Sequence, residues 1–396
     1  MKRQQQTRSS AKPWVEWLAH RIDDPVTRLK FLQSVTPLAI PKKTERRWFP
    51  RISLAAMILL AGLLSFFLVR ASTRVNTVVA AAPKPPIAAP PAPPSSNVWL
   101  VDKSAGSESF SNGLRIDTRF ETANHPRSYL AFPAGNRGDT GGVRRTQPAG
   151  IVFHTTESHQ APFEASQNTA LKQIGESLVE FVRQQRAYHY LIDRFGRVYR
   201  IVPESDAANH AGYSVWADSS WLYLNLNESF LGISFEAQTE PGQSQSTASP
   251  AQIRSAAMLT EMLRNRYGIP AGNCVTHAQV SVNPENMRVG FHTDWASAFP
   301  FRELGLPDNY ALPLPALTAF GFEYDAIFQR WGGARLAAGV ELAEQDLARQ
   351  AAESGISLKS LRKILQNRYR LQLAQTRAGT PPSPVSSPLA APPDSQ

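Results

Sequence analysis

From residue 52 to residue 69 the chain reads Ile-Ser-Leu-Ala-Ala-Met-Ile-Leu-Leu-Ala-Gly-Leu-Leu-Ser-Phe-Phe-Leu-Val, with no charge inside the run and Arg51 and Arg70 at its borders. A bilayer core of about 30 Å needs about 20 helical residues at a rise of about 1.5 Å each, so this run spans one if the bordering arginines snorkel. A helix of a water-soluble core normally keeps a polar face over such a length, and this run has none. The spacing therefore predicts a transmembrane helix over 52–69, with Trp48 and Phe49 at the interface. Lys42, Lys43, Arg46, Arg47 and Arg51 precede it and favour a cytoplasmic leader over 1–51, with everything after the helix outside. A cleavable signal peptide is the rival, since Ala80-Ala81-Ala82 offers small residues, but a leader this long exceeds the charged start of such peptides. Trp14, Trp17, Leu18, Ile22, Leu29, Phe31 and Leu32 hint at short amphipathic helices in the leader, whose partner the sequence does not name.

The same segment explains the charge. The chain carries a formal net charge of +10, but residues 1–74 hold 14 Lys and Arg against 4 Asp and Glu, leaving 28 of each sign in the remainder. The body is neutral and has no cluster of basic residues to follow a phosphate backbone, which argues against nucleic-acid binding. Cys274 is the only cysteine, so no internal disulfide can form, and in an oxidising compartment outside the membrane a metal site without thiolate ligands is chemically durable.

After the helix, 70–96 is a linker rich in Pro and Ala, a semi-extended tether, and 377–396 reads as a disordered tail. Between them, 97–149 is turn-rich with short β-like runs and is taken as an N-terminal flank, 150–305 as the main domain and 306–376 as a helical extension. Within the main domain, 151–153 reads as a buried strand and 163–184 as a helix through Leu171, Ile174, Leu178, Phe181 and Val182. Residues 188–192 and 198–202 read as strands joined by Asp193-Arg194-Phe195-Gly196. A strand over 231–235, a helix over 250–267 ended by Gly268 and Pro270, and a strand over 274–276 complete a mixed central β-sheet flanked by helices, an α/β domain. In the extension, amphipathic helices over 342–354 and 358–373 are parted by Gly355-Ile356-Ser357.

Three potential ligands stand at strand ends or just beyond: His154, His277 and Asp294. Two neutral imidazoles and a carboxylate, with a fourth position left to water, make the ligand count of a catalytic zinc site. Each histidine taken singly reads at least as well as a hydrogen-bonded structural residue.

The ordered context resembles the type-2 N-acetylmuramoyl-L-alanine amidases, the family shared with phage amidase lysozymes and animal peptidoglycan recognition proteins. Ile151-Val152-Phe153-His154-Thr155 is similar to its first-ligand strand, and Tyr188-His189-Tyr190-Leu191-Ile192-Asp193-Arg194-Phe195-Gly196 to its central hairpin. Val202-Pro203 with His210-Ala211-Gly212 resembles the substrate-facing loop, Asn227 with Leu231-Gly232-Ile233-Ser234-Phe235 the next strand, and Thr276-His277, His292-Thr293-Asp294 and Phe299-Pro300-Phe301 the closing segment. The resemblance covers about residues 145–305.

It implies zinc at His154, His277 and Asp294, with Tyr188 beside the reacting water and His292 where many members carry an oxyanion-stabilising lysine. It also implies substrate contact by His210 and Asn227, whose rival reading is backbone hydrogen bonding in a turn. Ser234 stands where the cytoplasmic recycling members carry a catalytic glutamate, Glu236 lies two residues on, and Asp294-Trp295-Ala296 lacks the usual Pro-Gly. His189 alternates with Tyr188 along its strand and reads as structural. The implied activity is zinc-dependent hydrolysis of the bond between N-acetylmuramic acid and L-alanine in peptidoglycan, from a single-pass bacterial inner-membrane protein. The rival is a non-catalytic, membrane-anchored peptidoglycan-binding protein. A three-histidine site with His292 in place of Asp294 is a second way to build the centre.

Overall fold

The computed structural model describes residues 97–379 apart from 136–140, 159, 240–245, 291 and 325. The predicted membrane helix, its leader, the tether up to residue 96 and the tail beyond 379 lie outside the described residues. Among the described residues no helix is long and apolar enough to cross a membrane.

The strands in chain order are β1 (Leu100–Ser104), β2 (Ser107–Phe110), β3 (Arg115–Asp117), β4 (Tyr129–Pro133), β5 (Val143–Arg145), β6 (Gly150–Thr155), β7 (Tyr190–Ile192), β8 (Val198–Arg200), β9 (Val215–Ala217), β10 (Trp221–Leu224), β11 (Phe230–Phe235), β12 (Cys274–Thr276), β13 (Val282–Asn283) and β14 (Arg288–Val289). Eight of them form one sheet in the order β1-β2-β3-β8-β7-β11-β6-β12, four form a second sheet β5-β4-β10-β9, and β13 pairs with β14. The heart of the large sheet is parallel: β11 lies between β7 and β6, and β12 follows β6. Such strands are covered on both faces, which is why Gly-Ile-Val-Phe-His-Thr and Phe-Leu-Gly-Ile-Ser-Phe are buried at every position. The mixed sheet with flanking helices expected from the sequence is therefore present. The turn-rich flank contributes too, since β1 to β3 extend the large sheet and β4 and β5 belong to the second.

The longer helices are α1 (Asn168–Gln184), α2 (Pro250–Tyr267), α3 (Ala326–Glu353) and α4 (Leu358–Gly379). α1 begins later than the apolar spacing predicts, because Ala165–Gln167 forms a single 3-10 turn before it. α4 runs through Gly379, so the first residues assigned to the tail are helical. The ends of α2 are set by local chemistry. Ser249 Oγ accepts from Gln252 N, Gln252 Oε1 accepts from Ser249 N, Pro250 opens the helix, and Gly268 closes it at φ 64°. Ser249→Ala is expected to destabilise the protein by about 1 kcal/mol, read as a lower urea midpoint; an unchanged midpoint rules out this role for the cap.

The core does not break at residue 305. Leu336, Val340, Ala343 and Leu347 of α3 and Leu361, Leu365, Tyr369 and Leu373 of α4 belong to the same buried cluster as Phe153 of β6 and Ile233 of β11. α4 packs on β4 and β10 of the smaller sheet. Gly333, at φ 73°, interrupts the helical dihedrals of α3 near its start.

Candidate metal centre

β6 delivers His154 from the buried centre of the sheet, beside Ser234 of β11 in parallel register. β12 delivers His277, which starts a one-turn helix, His277–Val280. That turn is fixed locally, because Gln279 Oε1 reaches back to accept from Thr276 N at 2.9 Å. Asp294 arrives on a loop stitched to this turn: its carbonyl accepts from Ala278 N, and Ser281 Oγ accepts from His292 N at 2.8 Å. The next residue, Trp295, sits at φ 56°, a left-handed conformation that costs a bulky side chain about 1–2 kcal/mol. It is held there by its own burial and by its Nε1–H, which donates to the His154 carbonyl at 2.9 Å, while Tyr310 Oη donates to the Trp295 carbonyl. This pinning stands where the family resemblance leads one to expect Pro-Gly.

The three side chains converge. His277 Nδ1 lies 2.8 Å from Asp294 Oδ1, and His154 Nδ1 lies 3.3 Å from Asp294 Oδ2. One ligand atom from each falls within 4.8 Å of the others, and this is the group of potential ligands found among the described residues. Burial, reinforced by His277, pushes the His154 imidazole down to about 4, so it is neutral near pH 7. Burial alone would raise the Asp294 carboxyl, but His277 and His154 outweigh it and hold it well below the usual carboxylate range. A divalent cation held among the three side chains would balance the charge of the buried carboxylate. The donor set, two imidazoles and one carboxylate without a thiolate, fits zinc and leaves a fourth position open. His277 Nε2, buried, has no hydrogen-bond partner in the protein.

The other predicted site residues surround this centre unequally. The Tyr188 ring lies 5.1 Å from that of His154, on a backbone at φ 59°. Burial raises the Tyr188 phenol above its usual range, with Asp294 adding to the rise and Ser234 beside it opposing. His292 is exposed and stacks on His277 with ring centroids 4.6 Å apart and planes 22° apart. Of the two ligand sets open from sequence, the geometry brings together the one with Asp294. His210 and Asn227 lie behind the centre. Asn227 Oδ1 accepts from the N–H groups of His210, Ala211 and Gly212 at 2.9, 2.7 and 2.8 Å, which makes it the brace of that loop. His210 Nδ1 is 3.1 Å from His154 Nε2.

The family model for N-acetylmuramoyl-L-alanine amidase matches residues 144–293, from β5 to the residue before Asp294. The chain carries a type-2 N-acetylmuramoyl-L-alanine amidase domain. The amidase AmiD of Escherichia coli K12 is 28% identical over 142 residues, covering 32% of this chain and 46% of AmiD, so the chain spans about half the length of the curated relative it matches. Among solved structures, the amidase LysC of Clostridium intestinale URNW is 23% identical with a TM-score of 0.25, over 40% of this chain and 83% of that one. The complex of E. coli AmiD with anhydro-N-acetylmuramic acid-L-Ala-D-gamma-Glu-L-Lys is 19% identical with a TM-score of 0.33, over 69% and 98%.

Two further features of the amidase domain bear on the centre. Glu236 accepts from Arg194 N at 3.1 Å and is pushed up to about 6 by burial, with Arg194 and Asp193 as its charged neighbours rather than the ligand cluster. Arg127, which the sequence reading passed over in its turn-rich flank, is buried beneath the His210 loop and donates to the carbonyls of Glu204, Asp206, Glu228 and Phe230. It also meets His189, whose Nδ1 accepts from Gly232 N at 2.9 Å. A cleft of about 610 Å³ lined by Tyr129, Trp221 and Asp218 lies at the opposite ends of β6 and β12. Its Asp218 carboxylate is already engaged, accepting from Ser220 N, Trp221 N, Tyr223 Oη and Asn273 Nδ2.

Proposed function

We propose that the domain hydrolyses the amide bond between N-acetylmuramic acid and L-alanine in peptidoglycan, with zinc held by His154, His277 and Asp294, in cell-wall cleavage or remodelling. The observation that carries this reading is the convergence of one ligand atom from each of those three largely buried side chains. Zinc bound there lowers the pKa of a water toward about 7 and polarises the scissile carbonyl. The raised pKa of Tyr188 keeps its phenol protonated at neutral pH, so its O–H can donate to the carbonyl oxygen as negative charge builds, or protonate the leaving amine. His292, at the exposed edge of the cluster, is the second donor in this reading. Ser234, next to Tyr188, has no acid–base capacity of its own near neutral pH. In this reading the domain works outside the cytoplasmic membrane, which the basic residues before the apolar run over 52–69 and the Pro-rich stretch after it support.

Incubating the full chain with purified peptidoglycan is expected to release stem peptides, with release stopped by a chelator and restored by zinc. Binding without release points instead to a non-catalytic peptidoglycan-binding protein. Tyr188→Phe is expected to lower kcat about 100-fold with KM little changed, because the donated hydrogen bond is worth a few kcal/mol mainly in the transition state. An unaltered kcat takes Tyr188 out of the chemistry.

A further inference from the structure

His210 lies between two groups that fix where its proton sits. Its Nε2 is 3.2 Å from the carbonyl oxygen of Phe230, which can only accept, so Nε2 carries the hydrogen. In a neutral imidazole Nδ1 is then bare, and it faces His154 Nε2 at 3.1 Å. His154 Nε2 must therefore be protonated, which turns the lone pair of its Nδ1 toward Asp294 and the centre of the cluster.

We propose that His210 is a positioning residue: hung from the Phe230 carbonyl, it holds His154 in the Nε2–H tautomer and so presents Nδ1 to the cation, rather than contacting substrate. The proposal rests on the zinc reading above. Three features of the fold build this relay. The His210 ring crosses β11 at Gly232, where an added Cβ would come within 2.6 Å of Cγ, so glycine makes room for it. The His210 backbone is clamped by Asn227 Oδ1. Phe230 O is itself fixed, because it also accepts from buried Arg127. A residue serving only to touch substrate has no need to be wedged between a strand and a ligand. Partners of this kind behind metal-bound histidines typically contribute 10- to 100-fold in affinity.

Two measurements on the full chain test it. In the zinc-loaded protein labelled with ¹⁵N-histidine, long-range ¹H–¹⁵N correlation is expected to show His154 protonated at Nε2 and bound through Nδ1; the reverse pattern overturns the proposal without any variant having to fold. In competition with a chromophoric chelator, His210→Phe is expected to weaken zinc binding by about 10- to 100-fold. His210→Gln should recover most of that loss, since its amide N–H can donate to Phe230 O and its oxygen can accept from His154. Equal affinity in all three proteins, or equal loss in both variants, overturns the positioning role alone. A wild-type chain that takes up no zinc overturns the zinc reading, and this proposal with it.

Discussion

Asp294→Asn is expected to lose stoichiometric zinc and to slow stem-peptide release by at least about a thousandfold, since the metal supplies several kcal/mol of transition-state stabilisation and each 1.36 kcal/mol is a factor of ten. Asp294 is the anionic member of the trio, and its two oxygens face two imidazole nitrogens. Asparagine keeps the shape and removes the charge. The loop has other anchors, namely the Asp294 carbonyl on Ala278 N and the Trp295 indole on the His154 carbonyl, so the variant should remain folded. Metal analysis and peptide release, checked against a circular dichroism spectrum, separate loss of zinc from loss of fold. His292→Ala should keep its zinc in the same assay. If Asp294→Asn keeps zinc and His292→Ala loses it, the three-histidine site is correct and the ligand set given above is wrong.

Arg127→Leu is expected to destabilise the protein by about 3 kcal/mol or more, because several buried carbonyls lose their donor at about 1–3 kcal/mol each. Arg127 is 2% exposed, and its guanidinium serves four backbone carbonyls in two separate segments, 204–206 and 228–230. Leucine fills part of the space and donates nothing, leaving those carbonyls dry and unpaired at about 1–3 kcal/mol for each group left unsatisfied. Burial already lowers the Arg127 pKa to about 10, a sign of how poorly the site solvates a charge and how far it depends on those acceptors. A urea melt in the presence of chelator reads the loss free of any contribution from metal. A midpoint matching wild type would mean that the carbonyls find other donors. Arg127→Lys should recover little, because a single ammonium cannot reach both segments.

How far the sequence could be read follows from where each element gets its instructions. α2 was legible at both ends because Ser249, Pro250, Gln252 and Gly268 are local signals, and β12 because Cys-Val-Thr is an apolar run between turns. The ligand histidines were legible through their flanking motifs. The end of β6 was not: the apolar run stops at Phe153, but pairing with β11 carries the ladder through His154 to Thr155. The one-turn helix at His277 announces itself in Thr-His-Ala-Gln, a capping pattern that the sequence reading did not use. Arg127 had no signal to find. Nothing in its own neighbourhood distinguishes it from a solvated surface arginine, since its acceptors come from residues about 77 to 103 positions away. β1 shows the opposite case: the apolar run Val98-Trp99-Leu100-Val101 suggests a short strand, but all five residues of β1 are exposed, so no alternation of buried and polar positions fixes its bounds. Asn227 was read from family context as a substrate contact, and the structure shows its carboxamide oxygen engaged by three N–H groups of the His210 loop.

The interior shared between the amidase domain and α3 and α4 sets a limit on transplantation. A cassette cut at residue 305 and grafted onto another carrier would take β6 and β11 with it and abandon the leucines and Tyr369 that cover their shared core. The wet surface left behind would resemble a half-assembled folding intermediate, an invitation to aggregate. The smallest portable unit therefore includes both helices, and the domain and its C-terminal helices must be expressed and exchanged as one piece.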